Sequence, residues 1–190
     1  HMSIVRAGID LSMTSPIVCI YDDKNPLEFK HCKIYSFGTY ERIKKLEGNH
    51  QNISIMKQPS WDHDIERFQR IALWVCSICK LHDVKKVGLE DYSFNSKGKV
   101  FNIAEMTGIV KLELYKRKIP VTPISITLIK KNFSGKGNAG KDLMYDSFVK
   151  QTGVNLPSML GIEKHLTTEK QLTKFKTTPF ELKPIDDIVD

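Results

Sequence analysis

Short apolar runs bounded by turn residues fill the first part of the chain. Residues 3–10 (Ser-Ile-Val-Arg-Ala-Gly-Ile-Asp) read as a strand ending in a carboxylate, and residues 16–21 (Pro-Ile-Val-Cys-Ile-Tyr) as a second. So few residues separate them that an antiparallel hairpin is predicted. A turn at 22–26 leads to a third strand over 29–37, centred on Ile34-Tyr35-Ser36-Phe37. Residues 38–60 are polar and mixed and read as a variable loop. The period then changes. Ile65, Phe68, Ala72, Val75, Cys76 and Cys79 share one face of a helix over about 61–82. Residues 86–90 (Lys-Val-Gly-Leu-Glu) give a short strand that again ends in a carboxylate.

A second helix spans 100–118, with Val100, Ile103, Ala104, Thr107, Val110 and Leu114 in register. Met106, Ile109 and Leu112 widen that apolar surface, which predicts deep burial or a partner surface. Residues 119–123 form a strand whose prolines place it at an edge. A glycine-containing basic loop at 132–138 precedes a helix over 139–152. Residues 153–183 are polar, and Pro184 introduces a new element beginning Asp186-Asp187. The order predicts a single α/β (α+β mixed sheet) domain over 1–190. It has three antiparallel strands followed by two crossover strands, five in all, with helices on both faces.

Charge changes this picture. The 190 residues carry a formal +7 with a pI near 9.1. Residues 111–183 hold 14 Lys/Arg against 6 Asp/Glu, whereas residues 1–110 are nearly balanced at 15 against 13. A basic second half of this kind suits a polyanionic partner. The last seven residues contain three Asp and no base. No apolar stretch approaches a membrane span and no secretory leader is visible, so no membrane partner is expected. The four cysteines, Cys19, Cys32, Cys76 and Cys79, suggest a reducing, cytoplasmic setting, and Cys76-x-x-Cys79, inside a helical pattern and without a second pair at zinc spacing, reads as two core residues.

Three acidic positions carry candidate chemistry. Asp10 and Glu90 each end a strand; if those strands are neighbours, the two acids sit side by side. Asp187 and Asp190, three apart, share one face of a helix start, whereas Asp186 points about 100° away. Carboxylates so gathered repel by roughly 4 kcal/mol per pair at ~4 Å and an effective dielectric of 20. Hard divalent cations offset that repulsion, and Mg²⁺ keeps waters for chemistry, which predicts two such ions per site; no small-molecule cofactor is expected. Two such ions can clamp the attacking and leaving oxygens of a phosphodiester. The stretch 130–141 (Lys-Lys-Asn-Phe-Ser-Gly-Lys-Gly-Asn-Ala-Gly-Lys) lets backbone approach a phosphate and surrounds it with lysines. After Glu90, Tyr92 and Phe94 lie among lysines and are candidates for stacking on bases.

Taken in order, Gly8-Ile9-Asp10, Gly88-Leu89-Glu90, Gly135-x-Gly137-x-Ala139-x-Lys141 and Asp187-x-x-Asp190 resemble the RuvC family of Holliday junction resolvases, and most of all its bacteriophage members. The resemblance covers nearly the whole chain, and its glycine–lysine element is the most specific part. It implies an RNase H-like fold and a homodimer that nicks four-way DNA junctions symmetrically with Mg²⁺ or Mn²⁺. It assigns catalysis to Asp10, Glu90, Asp187 and Asp190. DNA contact falls to Lys131 and Lys141, with Lys136 in the same loop. The family's junction-probing aromatic usually follows the Glu by three residues. That position is Ser93 here, flanked by Tyr92 and Phe94. Leu11-Ser12 stands where cellular members carry Pro-Gly. The family's last helix continues beyond its acid pair, so a longer natural chain is expected. Two alternatives remain: an RNase H-like nuclease acting on flaps, forks or RNA, and a non-catalytic branched-DNA binder.

Overall fold

The computed structural model describes residues 2–91 and 99–190. Its strands are β1 (Val5–Asp10), β2 (Ile17–Asp22), β3 (Lys33–Gly38), β4 (Gly48–His50), β5 (Ile53–Lys57), β6 (Val84–Glu90) and β7 (Val121–Ile124). Its helices are α1 (Glu41–Leu46), α2 (Asp64–Leu81), α3 (Val100–Lys116), α4 (Ile126–Ser134), α5 (Lys141–Thr152), α6 (Leu156–Met159), α7 (Glu169–Thr177) and α8 (Ile185–Val189). One mixed sheet runs β4-β5-β3-β2-β1-β6-β7. The β1–β2 and β2–β3 pairs are antiparallel, and β1–β6 and β6–β7 are parallel, as the sequence predicts. The proline-bearing β7 is an edge strand.

The sheet has seven strands, not five. The additional pair lies in residues 38–60, where a loop is expected. There β5 pairs in parallel with β3, and β4 closes the edge antiparallel to β5. Ile53 and Ile55 alternate inward on β5 and are buried, but β4 is only Gly-Asn-His and carries no apolar signal. The intervening α1 is anchored by the buried Ile43 and Leu46.

Alternation along β1 sets the chemistry of its two faces. Ala7 and Ile9 face a core that includes Val18 and Ile20 of β2, Val87 and Leu89 of β6, and the inner faces of α2 and α3. Val75, Cys76 and Cys79 of α2 and Val110 and Leu114 of α3 are buried there, so these cysteines are core residues as expected. Gly8 and Asp10 point to the opposite face. On that face Ile17 and Ile34 pack against Met144 and Phe148 of α5, Leu156 of α6 and Ile185 and Ile188 of α8. Among the described residues no helix is long and apolar enough to cross a membrane.

Candidate active site

Parallel pairing of β1 with β6 places Gly8 opposite Gly88 and Ile9 opposite Leu89, so both strands end together at Asp10 and Glu90. The two carboxyl groups are hydrogen-bonded to each other. Burial pushes Asp10 well above the usual carboxylate range, and the charges of Glu90, Asp190 and Asp187 push it further. Burial also raises Glu90, partly countered by its hydrogen bond with Asp10 and the positive charge of Lys130.

Helix α8 delivers the remaining acids. Burial, then the charge of Asp186, raises Asp187; hydrogen bonds from Lys183 and Ser15 oppose the rise. Asp190 is raised by the surrounding protein, then by Asp186 and Asp187, with Lys130 and Lys141 opposing. Asp10, Glu90 and Asp190 line one cleft of about 790 Å³ on the open sheet face, with Phe133 and Phe148 among its apolar walls.

Asp186 is not a bystander. It is 4 % exposed, and its Oδ2 accepts hydrogen bonds from Lys141 Nζ (2.7 Å) and Lys183 Nζ (2.8 Å). Lys183 Nζ also donates to Asp187 Oδ1 (2.9 Å). Burial alone would lower the Lys183 ammonium, but Asp186 and Asp187 outweigh it and hold it above its ordinary value. Sequence reasoning missed Lys183, Ser15 and Lys130. An ammonium four residues before Asp187, at helical spacing, was the available signal for the first.

The basic stretch is partly helical. α4 carries Lys130 and Lys131 and ends at Gly135 in the left-handed region (φ 82°), where a side chain would be strained. A Cβ on Gly137 would lie 2.7 Å from Thr127 Cγ2 and 3.3 Å from its carbonyl oxygen, so the loop sits tight against α4. Lys131 and Lys136 are exposed, whereas Lys130 acts on the acids. Lys141 opens α5 and is engaged with Asp186, its side chain 57 % exposed. Tyr92 and Phe94 lie outside the described residues.

Among the described residues, no group of three or more His, Cys, Asp or Glu is drawn together closely enough to enclose a metal ion. The donor chemistry nevertheless suits a hard divalent cation: all four candidates are carboxylates, and Asp187 Oδ2 and Asp186 Oδ1 are buried without a hydrogen-bond partner.

A mixed sheet with acids at the ends of two adjacent central parallel strands, closed by a third acidic element on a helix, defines the class of fold. The solved structures extend this. Thermus thermophilus RuvC superimposes with a TM-score of 0.55 at 19 % identity, over 83 % of this chain and 87 % of that one. T. thermophilus RuvC in complex with a Holliday junction substrate gives 0.57 at 17 % identity, over 83 % and 86 %. The yeast mitochondrial Holliday junction resolvase Ydc2 aligns at 0.41 and 13 % identity, over 97 % and 72 %. No family model and no curated protein matches. The fold is that of RuvC, an RNase H-like fold, with two strands more than expected.

The raised Asp10 pKa makes a stability prediction. The folded chain keeps a proton that the unfolded chain releases near pH 3.9. That contribution is complete below the unfolded value and is lost as pH rises through the higher folded one. In EDTA, Asp10→Asn is therefore expected to be more stable than wild type at pH 8, with the advantage shrinking toward pH 5. Urea titrations at both pH values measure it, and an advantage that grows on acidification would refute the assignment.

Proposed function

We propose that the chain is a metal-dependent endonuclease that resolves four-way DNA junctions by paired, symmetric nicks. One observation carries the reading. Two strand-end carboxylates, 80 positions apart in sequence, share a hydrogen bond beside a helix that brings two further acids. Apposed ionised carboxylates would repel a phosphate, so the site demands positive charge before DNA can enter. Asp10, Glu90, Asp187 and Asp190 are the residues that would hold divalent ions; when bound, such ions stabilise the charge that builds on a phosphodiester during hydrolysis. The carboxylate pair of Asp10 and Glu90 can hold or accept a proton at the cleft. Exposed Lys131 and Lys136 beside it supply phosphate contacts. Likeness to a RuvC solved on a Holliday junction supports a branched substrate.

The deciding experiment presents labelled four-way junction, fork, flap, duplex and RNA–DNA hybrid in Mg²⁺ or Mn²⁺. Paired nicks confined to the junction support this reading. Preferential cutting of flaps, forks or hybrid would redirect it to a related nuclease, and binding without cutting would make the chain a non-catalytic binder.

Paired nicks need two sites, and a two-fold junction matches a two-fold dimer. Helix α3 offers the surface. Its inner face is buried, yet Phe101, Leu112 and Tyr115 are exposed at 76, 51 and 79 % on one outer stripe. Exposed apolar side chains so grouped mark an interaction face. Wild type is expected to sediment as a dimer at micromolar concentration and Leu112→Glu as a monomer. A monomeric wild type, with and without DNA, would remove the dimer from the proposal.

A further inference from the structure

The cleft between α1 and α7 is lined by cations and hydroxyls and by none of the four candidate acids. It encloses about 440 Å³. Arg42 and Lys45 stand on its α1 side, Lys170 and Lys174 on its α7 side, and Lys183 at its floor. The acids at its edge are already engaged. Glu181 pairs with Lys174 at 3.1 Å, and Glu41 lies 3.7 Å from Lys57. Arg42, Lys45 and Lys170 have no carboxylate within ion-pair distance among the described residues.

Two features show that this is more than a solvated basic surface. Arg42 is half-buried, and burial lowers its pKa. Among the described residues its one hydrogen bond to protein runs from Nη1 to the Lys183 carbonyl (3.3 Å), so most of the five donors of its guanidinium are available to a ligand. A partly desolvated cation in that condition calls for an anion. The second feature is α7 itself, a nine-residue helix with no buried residue. A capping box of Thr168 and Gln171 fixes its start, so it is well formed although it adds nothing fully buried to the core. Lys170, Thr173, Lys174 and Thr177 follow the i, i+3, i+4, i+7 pattern and share one face, and the two lysines of that face line the cleft.

The lining excludes a small apolar ligand, which would need hydrophobic walls. Cations on both walls, Arg42 and Lys45 from α1 and Lys170 and Lys174 from α7, match a repeating anion, and Arg and Lys are the usual contacts to DNA phosphates. The cleft also joins the acid cluster through one side chain, because Lys183 both lines it and donates to Asp187. We propose that the α1–α7 cleft binds the phosphate backbone of a duplex arm running away from the acid site. This inference rests on the nuclease reading above and extends it to a second contact surface, outside the glycine–lysine loop.

The test is binding of a labelled four-way junction in Ca²⁺ over a range of salt. The variants Lys170→Gln/Lys174→Gln and Lys170→Arg/Lys174→Arg are compared with wild type, and circular dichroism confirms that each is folded. Loss of two phosphate contacts should reduce the slope of log affinity against log salt by about 1.8. The glutamine pair is expected to show that reduction and a roughly tenfold loss of affinity at moderate salt. The arginine pair should retain the wild-type slope. Shortening the duplex arms should abolish the difference between wild type and the glutamine pair. If wild type binds and the glutamine pair keeps its slope, the cleft assignment falls and the nuclease reading stands. A difference that persists on the shortest arms overturns the assignment to an arm. Absence of any DNA affinity in wild type overturns both readings.

Discussion

Asp10→Asn is expected to abolish nicking of a four-way junction, by a thousandfold or more, while junction binding in Ca²⁺ persists or tightens. A factor of that size corresponds to about 4 kcal/mol of transition-state stabilisation. The expectation follows from position. Asp10 is half-buried, hydrogen-bonded to Glu90 and within the field of Asp187 and Asp190, so it is the acid on which the other three converge. Asparagine preserves its shape and removes the charge that would hold a divalent ion. One less negative charge at the cleft also weakens repulsion of the phosphate, hence the retained affinity. Glu90→Gln, Asp187→Asn and Asp190→Asn should behave alike. Single-turnover cleavage beside a gel shift separates the two functions. Wild-type cutting by Asp10→Asn, or joint loss of cutting and binding in a folded variant, would show that the acids do not form the catalytic site.

Lys183→Met is expected to destabilise the fold by about 2–3 kcal/mol, at or just below the low end of the range for breaking a buried ion pair. Lys183 is the cation shared by Asp186 and Asp187, whose side chains are 4 % and 13 % exposed. Its loss leaves Asp187 without an ammonium partner, while Asp186 keeps Lys141. That second lysine and the 26 % exposure of Lys183 itself moderate the cost. For a chain of this size the melting temperature should fall by roughly 5–10 °C. The uncompensated Asp187 would then bind a proton more readily folded than unfolded, so the deficit should shrink as pH falls from 8 to 5. Calorimetry at the two pH values measures both parts. A melting point unchanged at pH 8 would mean that the ammonium is dispensable to α8.

Helices α2 and α3 were legible from apolar residues at helical spacing, and the acidic ends of β1 and β6 because a short apolar run stops at a carboxylate in each. The pairing of β1 with β6 confirmed that Asp10 and Glu90 meet. What was missed lacked such a pattern. β4 is three residues long with no apolar side chain, and α7 sets only Phe175 partly against the core, so neither leaves a period to read. β5 does alternate, at Ile53 and Ile55, but its five residues are flanked by polar sequence. Asp186 and Asp187 show a different limit. On a five-residue helix, spacing says that the two point apart; it does not say which points inward. That was decided by Lys141 and Lys183, one of them 45 positions away, through hydrogen bonds that no local rule reports.

The wiring of β1 bears on when activity can arise as the chain folds. Its hairpin with β2 is local, but its partner β6 is roughly 75 to 80 residues downstream, and the helix carrying Asp187 comes nearly a hundred later. Contacts that distant in sequence close late, because loop entropy must be overcome before they stabilise anything. A chain emerging from the ribosome holds Asp10 long before Glu90 or Asp187 exists. The four-acid cluster is therefore the last feature the domain assembles, and a partly folded chain carries its basic segments without the complete set of carboxylates.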